Sequence, residues 1–272
     1  MTTDQWLRNA AVKLQQAGIE FPQMEAREIL RHTLGFSKEE LVRSSHEMDI
    51  DGAEQLLRRR VDGEPLAYVI GSKEFFGRSF LVNRDVLIPR PETEALVELA
   101  LPAMEPGCRC VDVGTGSGCV GLTLAIESPR SQWFCTDVSL PALCVARSNA
   151  DALGASTALL NCNLLDAFAD SSLDMIVSNP PYVAQGDANL DPGVERWEPA
   201  EALYAGTDGL DVIRDLIVGA ERTLKRGGTL VFEFGMGQAG GVTELLDGWS
   251  PSIHRDLAGV ERVATATNPI SS

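Results

Sequence analysis

At 272 residues with 44% hydrophobic content, the chain is long enough for one large α/β domain and a smaller companion. No apolar run approaches the roughly 18 residues needed to cross a bilayer, and Met1-Thr2-Thr3-Asp4-Gln5 lacks the basic stretch and apolar core of a secretion signal, so a cytoplasmic location is expected. The formal net charge is −16, with 11 basic and 13 acidic side chains in residues 1–80 against 12 and 26 in residues 81–272; such a balance repels a phosphate backbone and argues against direct binding of nucleic acid.

Residues 1–75 read as a small helical domain. Trp6, Ala10, Leu14 and Ala17 fall at helical spacing before Gly18, and Pro22 opens a second run carrying Ala26, Ile29, Leu30 and Leu34 before Gly35. Ser37-Lys38-Glu39-Glu40 and Asp51-Gly52-Ala53-Glu54 have the spacing of capping boxes, the latter opening a helix with Leu56, Leu57 and Val61. No catalytic cluster occurs here, so the domain is assigned to recognition of a partner. Tyr68-Val69-Ile70-Gly71 and Glu74 to Val82 are aromatic and β-branched with glycines at the breaks, which predicts a hairpin, and residues 76–90 are taken as the linker. Pro91, Glu92 and Glu94 suit the first turn of a helix running to about Met104. That start leaves Pro89 and Arg90 unexplained, and both are held as residues that shape a ligand pocket.

From residue 109 onward strands alternate with helices: strands over 109–113, 132–136, 158–161, 173–178 and 229–234, helices over 119–127, 140–153, 210–224 and 238–246, then a strand pair over 252–256 and 260–267. This pattern predicts an α/β domain over residues 91–272, a doubly wound and mostly parallel sheet whose ligands sit at the carboxyl ends of its strands. Six cysteines without a Cys-x-x-Cys pair, and only His32, His46 and His254, make neither a disulfide framework nor a protein-built metal site.

Two strand ends carry chemistry. Val111-Asp112-Val113-Gly114-Thr115-Gly116-Ser117-Gly118 runs from a strand through a glycine-rich turn into a helix. Glycines there let the backbone approach a ligand, and Asp137, ending the next strand, is placed to accept from the hydroxyls of a ribose. An adenosine-type cofactor follows, but Gly116 to Gly121 also fits G-x-G-x-x-G, so the loop does not separate hydride from methyl transfer. The second strand end, Asp174 to Ser178 followed by Asn179-Pro180-Pro181-Tyr182, does. Two prolines stiffen the turn, which offers the Asn179 amide oxygen, the Pro180 carbonyl and the Tyr182 ring: two acceptors and a stacking face for a planar NH2 group. Glu233 closes a later strand, either as a carboxylate capping a sheet edge or as a proton acceptor.

Taken together, these two strand ends resemble class I Rossmann-like, S-adenosylmethionine-dependent N-methyltransferases. Leu87-Ile88-Pro89-Arg90-Pro91-Glu92-Thr93-Glu94 narrows the resemblance to the HemK/PrmC family, protein glutamine methyltransferases that modify peptide chain release factors. It extends over nearly the whole chain, including Gly63 to Gly71, Glu198 to Leu203, Gly206 to Asp211 and Gly227 to Gly235. The resemblance implies S-adenosyl-L-methionine as cofactor, held by Gly114, Thr115, Gly116, Ser117 and Gly118, by Asp137 at the ribose, by Asn163 and Leu164 near the adenine, and bordered by Asn179. It implies that Asn179, Pro180, Pro181 and Tyr182 bind the substrate glutamine, with Asn179, Pro180 and Tyr182 serving catalysis, and that the partner is a class-1 release factor presenting Gly-Gly-Gln. Asn163 departs from the aspartate often found there and supplies a neutral acceptor. Three other readings remain open on the residues alone: the ribosomal-protein branch of the same family, a nucleic-acid adenine N-methyltransferase using the same grip on a flipped base, and a cofactor-binding scaffold without turnover.

Overall fold

The computed structural model describes residues 1–43, 51–256 and 258–269; His46 lies outside them. The chain divides into two compact units, Met1–Ser72 with Pro192–Trp197, and Lys73–Asp191 with Glu198–Ser272.

The first unit is helical, and its helices start where the sequence supplies caps. Helix α1 (Thr3–Gln16) opens on a capping box: Thr2 Oγ1 accepts from Gln5 N at 3.3 Å and Thr2 N donates to Gln5 Oε1 at 3.1 Å. Helix α2 (Pro22–Leu34) has proline at its first position and a left-handed Gly35 at its end. Ser37 and Glu40 exchange the same reciprocal bonds at the start of α3 (Lys38–Arg43), and α4 spans Asp51–Val61. Trp6, Ala10 and Leu14 of α1, Ala26, Ile29 and Leu30 of α2, and Ala53 and Leu57 of α4 share one buried core. Ala17 and Val61, grouped with the core-facing positions by spacing, are exposed at helix ends. The expected extended stretch Tyr68-Val69-Ile70 is instead helical, in α5 (Leu66–Ile70). Arg59 accounts for this: its guanidinium donates to the Tyr68 and Val69 carbonyls at 3.0 and 3.3 Å while also pairing with Glu64 at 2.8 Å, so the last carbonyls of a short helix find partners.

In the second unit the hairpin is β1 (Ser72–Phe75) and β2 (Arg78–Leu81), so the expected linker 76–90 holds only its second strand. The helix expected from Pro91 to Met104 is a central α6 (Glu94–Ala100) flanked by tighter turns at Pro91–Thr93 and Leu101–Ala103; Pro102, lacking an N–H, ends the α-helical ladder. Then follow β3 (Arg109–Val113), α7 (Cys119–Glu127), β4 (Gln132–Asp137), α8 (Leu140–Leu153), β5 (Ala158–Asn161) and β6 (Leu173–Ser178); after α9 (Pro192–Trp197), which belongs to the first unit, come α10 (Asp211–Thr223), β7 (Leu224–Glu233), α11 (Ala239–Leu245), β8 (Ser252–Arg255) and β9 (Glu261–Thr267). The sheet order is β5-β4-β3-β6-β7-β9-β8, parallel from β5 to β7 and antiparallel through β9 and β8.

The central strands β3 and β6 and the second half of β7 are buried on both faces, and alternate residues go to opposite sides. Val111, Val113, Ile176, Leu230 and Phe232 join one core with α10. Cys110, Met175, Val177 and Val231 join the other, with α6 and α7. Strand order reverses between β3 and β6, where Val113 lies beside Ser178. A doubly wound sheet opens a crevice beyond the carboxyl ends of its strands at that reversal. The glycine loop after Val113 and the Asn-Pro-Pro-Tyr turn after Ser178 therefore face one another across a single crevice.

Candidate active site

The crevice holds a cavity of about 220 Å³. Gly114 to Ser117 form one wall and Asp137 stands beside them; Asn163 and Leu164 extend it after β5, and Asn179 with Pro181 close it after β6. Pro89 and Arg90 line it too, in keeping with the pocket-shaping role expected of them. Arg90 is fixed by Glu198, a nearly buried carboxylate that takes Arg90 Nη2 at 2.5 Å and the backbone N–H of Ile88 at 3.0 Å.

Gly114 and Gly116 have φ of +69° and +55°, and a Cβ built on either meets nothing within 4 Å. The backbone thus turns left-handed where glycine alone does so freely, with open space in front of it. Gly118 differs. It caps α7 with φ +84°, a Cβ there would come within 2.7 Å of Leu122 Cδ1, and it is absent from the cavity wall; its place is close packing of loop on helix. Asp137 accepts from Gly116 N and Ser139 N, each at 2.9 Å, through different oxygens. Burial pushes its carboxyl above the ordinary range against these two bonds. Two oxygens, each with one backbone donor and each with a further lone pair, fit the paired hydroxyls of a ribose. Leu164 sits at φ +41°, its carbonyl accepting from Thr136 Oγ1 at 3.2 Å.

Asp112, under the loop, accepts from Thr115 Oγ1 at 2.6 Å and Gly121 N at 2.9 Å. Burial raises its carboxyl to about 6, while an unfolded aspartate titrates near about 3.9. The folded chain therefore binds the extra proton between those values, and the stability this group lends is full below about pH 3.9 and lost as pH rises through 6. Asp112→Asn does not titrate. On acidification from pH 6 to 4 the stability of the natural chain is expected to gain on that of the variant by about 2 kcal/mol, since the group is already half protonated at pH 6, a difference read from parallel urea titrations.

At the other strand end, Asn179 Nδ2 donates to Thr93 Oγ1 at 3.1 Å and Thr93 Oγ1 donates to Glu233 Oε2 at 2.7 Å. Tyr182 donates its hydroxyl to Glu233 Oε1 at 2.9 Å. Pro180 is buried, and neither it nor Tyr182 belongs to the cavity wall; Tyr182 stands behind the turn, its phenol raised chiefly by burial and by the adjacent Glu233. Glu233 is not at a sheet edge: β7 lies between β6 and β9, and the carboxylate is 1% exposed. Gln238 belongs to no motif of the sequence. Its Nε2 donates to the carbonyls of Tyr182 and Asp208 at 2.9 and 3.2 Å while its Oε1 accepts from Gly235 N at 2.7 Å, which ties three loops together. Gly209 makes room for that knot, since a Cβ there would lie 2.3 Å from the Tyr182 carbonyl. The one signal for Gln238 in the sequence is its place just after a strand's carboxyl end.

Residues 5–71 match the PrmC N-terminal domain, and residues 92–196 match the methyltransferase small domain. A release factor glutamine methyltransferase of Neisseria gonorrhoeae is 42% identical over 272 residues, covering 97% of this chain and 96% of that one. The chain belongs to the release factor glutamine methyltransferase family. A member from Koribacter versatilis is 37% identical and covers all of both chains. Among solved structures, a methyltransferase from Pyrococcus furiosus superposes with TM-score 0.56 at 16% identity, over 80% of this chain and 100% of that one. The ribosomal protein L11 methylase of Lactobacillus delbrueckii gives 0.51 at 21%, over 73% and 90%. These two carry the fold: a class I methyltransferase sheet, which in this release factor glutamine methyltransferase family member has Asn179 and Gly116 on the same cavity. No described helix is long and apolar enough to cross a membrane.

Proposed function

We propose that the chain transfers a methyl group from S-adenosylmethionine to the side-chain amide nitrogen of a glutamine, that of the Gly-Gly-Gln motif in a class-1 release factor. The observation that carries this reading is the hold on Asn179, whose NH2 end is engaged by Thr93 while the residue borders the cavity. Its oxygen is thereby left to accept from a substrate.

Gly114, Thr115, Gly116 and Ser117 would hold the cofactor by backbone approach, Asp137 its ribose, and Asn163 and Leu164 its adenine. When bound, S-adenosylmethionine supplies an electrophilic methyl carbon on a sulfonium. The difficulty lies with the acceptor. An amide nitrogen gives its lone pair to the carbonyl, a delocalisation strong enough to set a rotation barrier of about 18–20 kcal/mol. Asn179 Oδ1 and the Pro180 carbonyl each accept one N–H of the substrate amide. This points the third direction of the nitrogen into the cavity and favours positive charge growing there. Tyr182 backs the amide plane, and Pro181 keeps the turn stiff. Holding both reactants in register supplies on the order of 7–11 kcal/mol of the barrier. No strong base has to act first, because the nitrogen turns acidic only as it is alkylated.

Asn163 offers the adenine amino group a neutral acceptor. A hydrogen bond to a charged group contributes about 1.5–3 kcal/mol against about 1 for a neutral one, so Asn163→Asp is expected to tighten cofactor binding by up to about thirtyfold, measured by calorimetry. The substrate is tested by offering the enzyme labelled S-adenosylmethionine with a release factor, ribosomal protein and duplex DNA in turn. Label on the release-factor glutamine supports the proposal. Label on a ribosomal-protein glutamine alone moves the chain to that branch, and label on adenine overturns it.

A further inference from the structure

Two acceptors grip a substrate NH2 only if the Asn179 carboxamide presents its oxygen, and an amide is nearly symmetric in shape. Something has to choose its orientation. Thr93 touches one end of it, at 3.1 Å, and Thr93 itself is 2% exposed. A hydroxyl has one proton to give. Thr93 gives it to Glu233 Oε2 at 2.7 Å, because the carboxylate, already taking the Tyr182 hydroxyl on Oε1 at 2.9 Å, is an acceptor at both oxygens. With its proton spent, Thr93 Oγ1 can only accept from Asn179, and only the Nδ2 end can donate. The chain of donation therefore runs one way, from Asn179 through Thr93 to Glu233, and the asparagine oxygen is turned to the opposite side.

We propose that Glu233, acting through Thr93, is the positioning residue that selects the reactive face of the Asn179 carboxamide, and that the same carboxylate holds Tyr182 in place. Burial raises the Glu233 carboxyl and the nearby Glu92 adds to this, with the hydroxyls of Thr93 and Tyr182 and the charge of Arg262 only partly opposing the rise; what marks the carboxyl as the acceptor is the geometry of the two hydroxyls that each donate to one of its oxygens. The three residues come from separate parts of the chain: Thr93 precedes α6, Asn179 follows β6, and Glu233 ends β7. A purely local packing role explains none of the directionality. Thr93 could fill its space as valine, and Glu233 could cap Tyr182 alone.

This inference rests on the reading of Asn179 as the acceptor for the substrate amide, and the test separates the two. Thr93→Val, Thr93→Ser, Glu233→Gln and Asn179→Ala are compared in the full chain by kcat and KM for a release-factor peptide and by cofactor Kd. Thr93→Val keeps the shape and removes the relay; it is expected to lower kcat by about 10–100-fold, the range seen when the partner that orients a metal ligand is removed, with cofactor Kd unchanged. Thr93→Ser keeps a hydroxyl and restores most of the rate. Glu233→Gln leaves one acceptor oxygen where two hydroxyls had each donated to their own, so its NH2 group faces one of them, and it is expected to lower kcat in the same way, so it carries the test if the valine variant does not fold. Wild-type kcat in both Thr93→Val and Glu233→Gln, with Asn179→Ala inactive, overturns the positioning role and leaves the Asn179 reading standing. A loss of cofactor affinity equal to the loss of rate, or failure of serine to rescue, also overturns it. An active Asn179→Ala sinks the reading beneath it instead.

Discussion

Asn179→Ala is expected to lower kcat by at least about 100–1000-fold, the usual cost of removing one oriented group aimed at developing charge, with cofactor affinity near that of the natural chain. The residue sits at the carboxyl end of β6 and borders the cavity that Gly116 also lines. The two tasks are separable because different strands perform them. Gly114 to Ser117 follow β3 and take their shape from φ values of +69° at Gly114 and +55° at Gly116 and from Asp112 beneath them, whereas the Asn179 side chain is held by Thr93. Removing the carboxamide takes away one of two acceptors for the substrate amide and leaves its nitrogen free to rotate back into conjugation with its own carbonyl. Stopped turnover with intact cofactor binding, measured by calorimetry beside steady-state kinetics, checks this.

Asp137→Ala is expected to act on the other half of the site, raising the cofactor Kd by about 10–150-fold while the thermal unfolding of the chain changes little by comparison. The carboxylate does two things: it fixes Gly116 N and Ser139 N at 2.9 Å each, and it presents acceptors to the cavity. A hydrogen bond to an ionised group contributes about 1.5–3 kcal/mol, which at about 1.4 kcal/mol per factor of ten gives that range. Asp137→Asn keeps one acceptor and is expected to fall between the two. A binding titration with S-adenosylhomocysteine reads the effect without turnover; a Kd within twofold of the natural chain in both variants contradicts the ribose assignment.

Much of this was legible in the residues because punctuation and period agreed. Pro22 and Gly35 bracket α2, Ser37 and Glu40 open α3, and the apolar runs of β3 and β6 end on glycine and on Asn-Pro-Pro. Agreement of caps, turns and period at each end is what makes a local reading succeed. The hairpin shows where it stops. Tyr68, Val69 and Ile70 favour a strand by residue type, yet Arg59 reaches back to the carbonyls of Tyr68 and Val69 and the segment is helical; a tertiary contact overrides a weak propensity. The support behind the site was invisible for a related reason. Thr93 meets Asn179 across 86 positions, Glu233 meets Thr93 across 140, and Gln238 meets Tyr182 across 56. Nothing in a local pattern joins residues at such separations; only the order of strands in the sheet does. Gly118, placed by its motif among the cofactor glycines, also packs closely against Leu122, because the same residue type serves close approach to a ligand and close approach to a helix.

The most direct test of the account is mass spectrometry of a release-factor peptide containing Gly-Gly-Gln after incubation with S-adenosylmethionine and either the natural chain or Asn179→Ala. One added methyl group on the glutamine side chain with the first, and an unmodified peptide with the second, is the predicted pair of spectra. A glutamine methylated equally well by both proteins would contradict it.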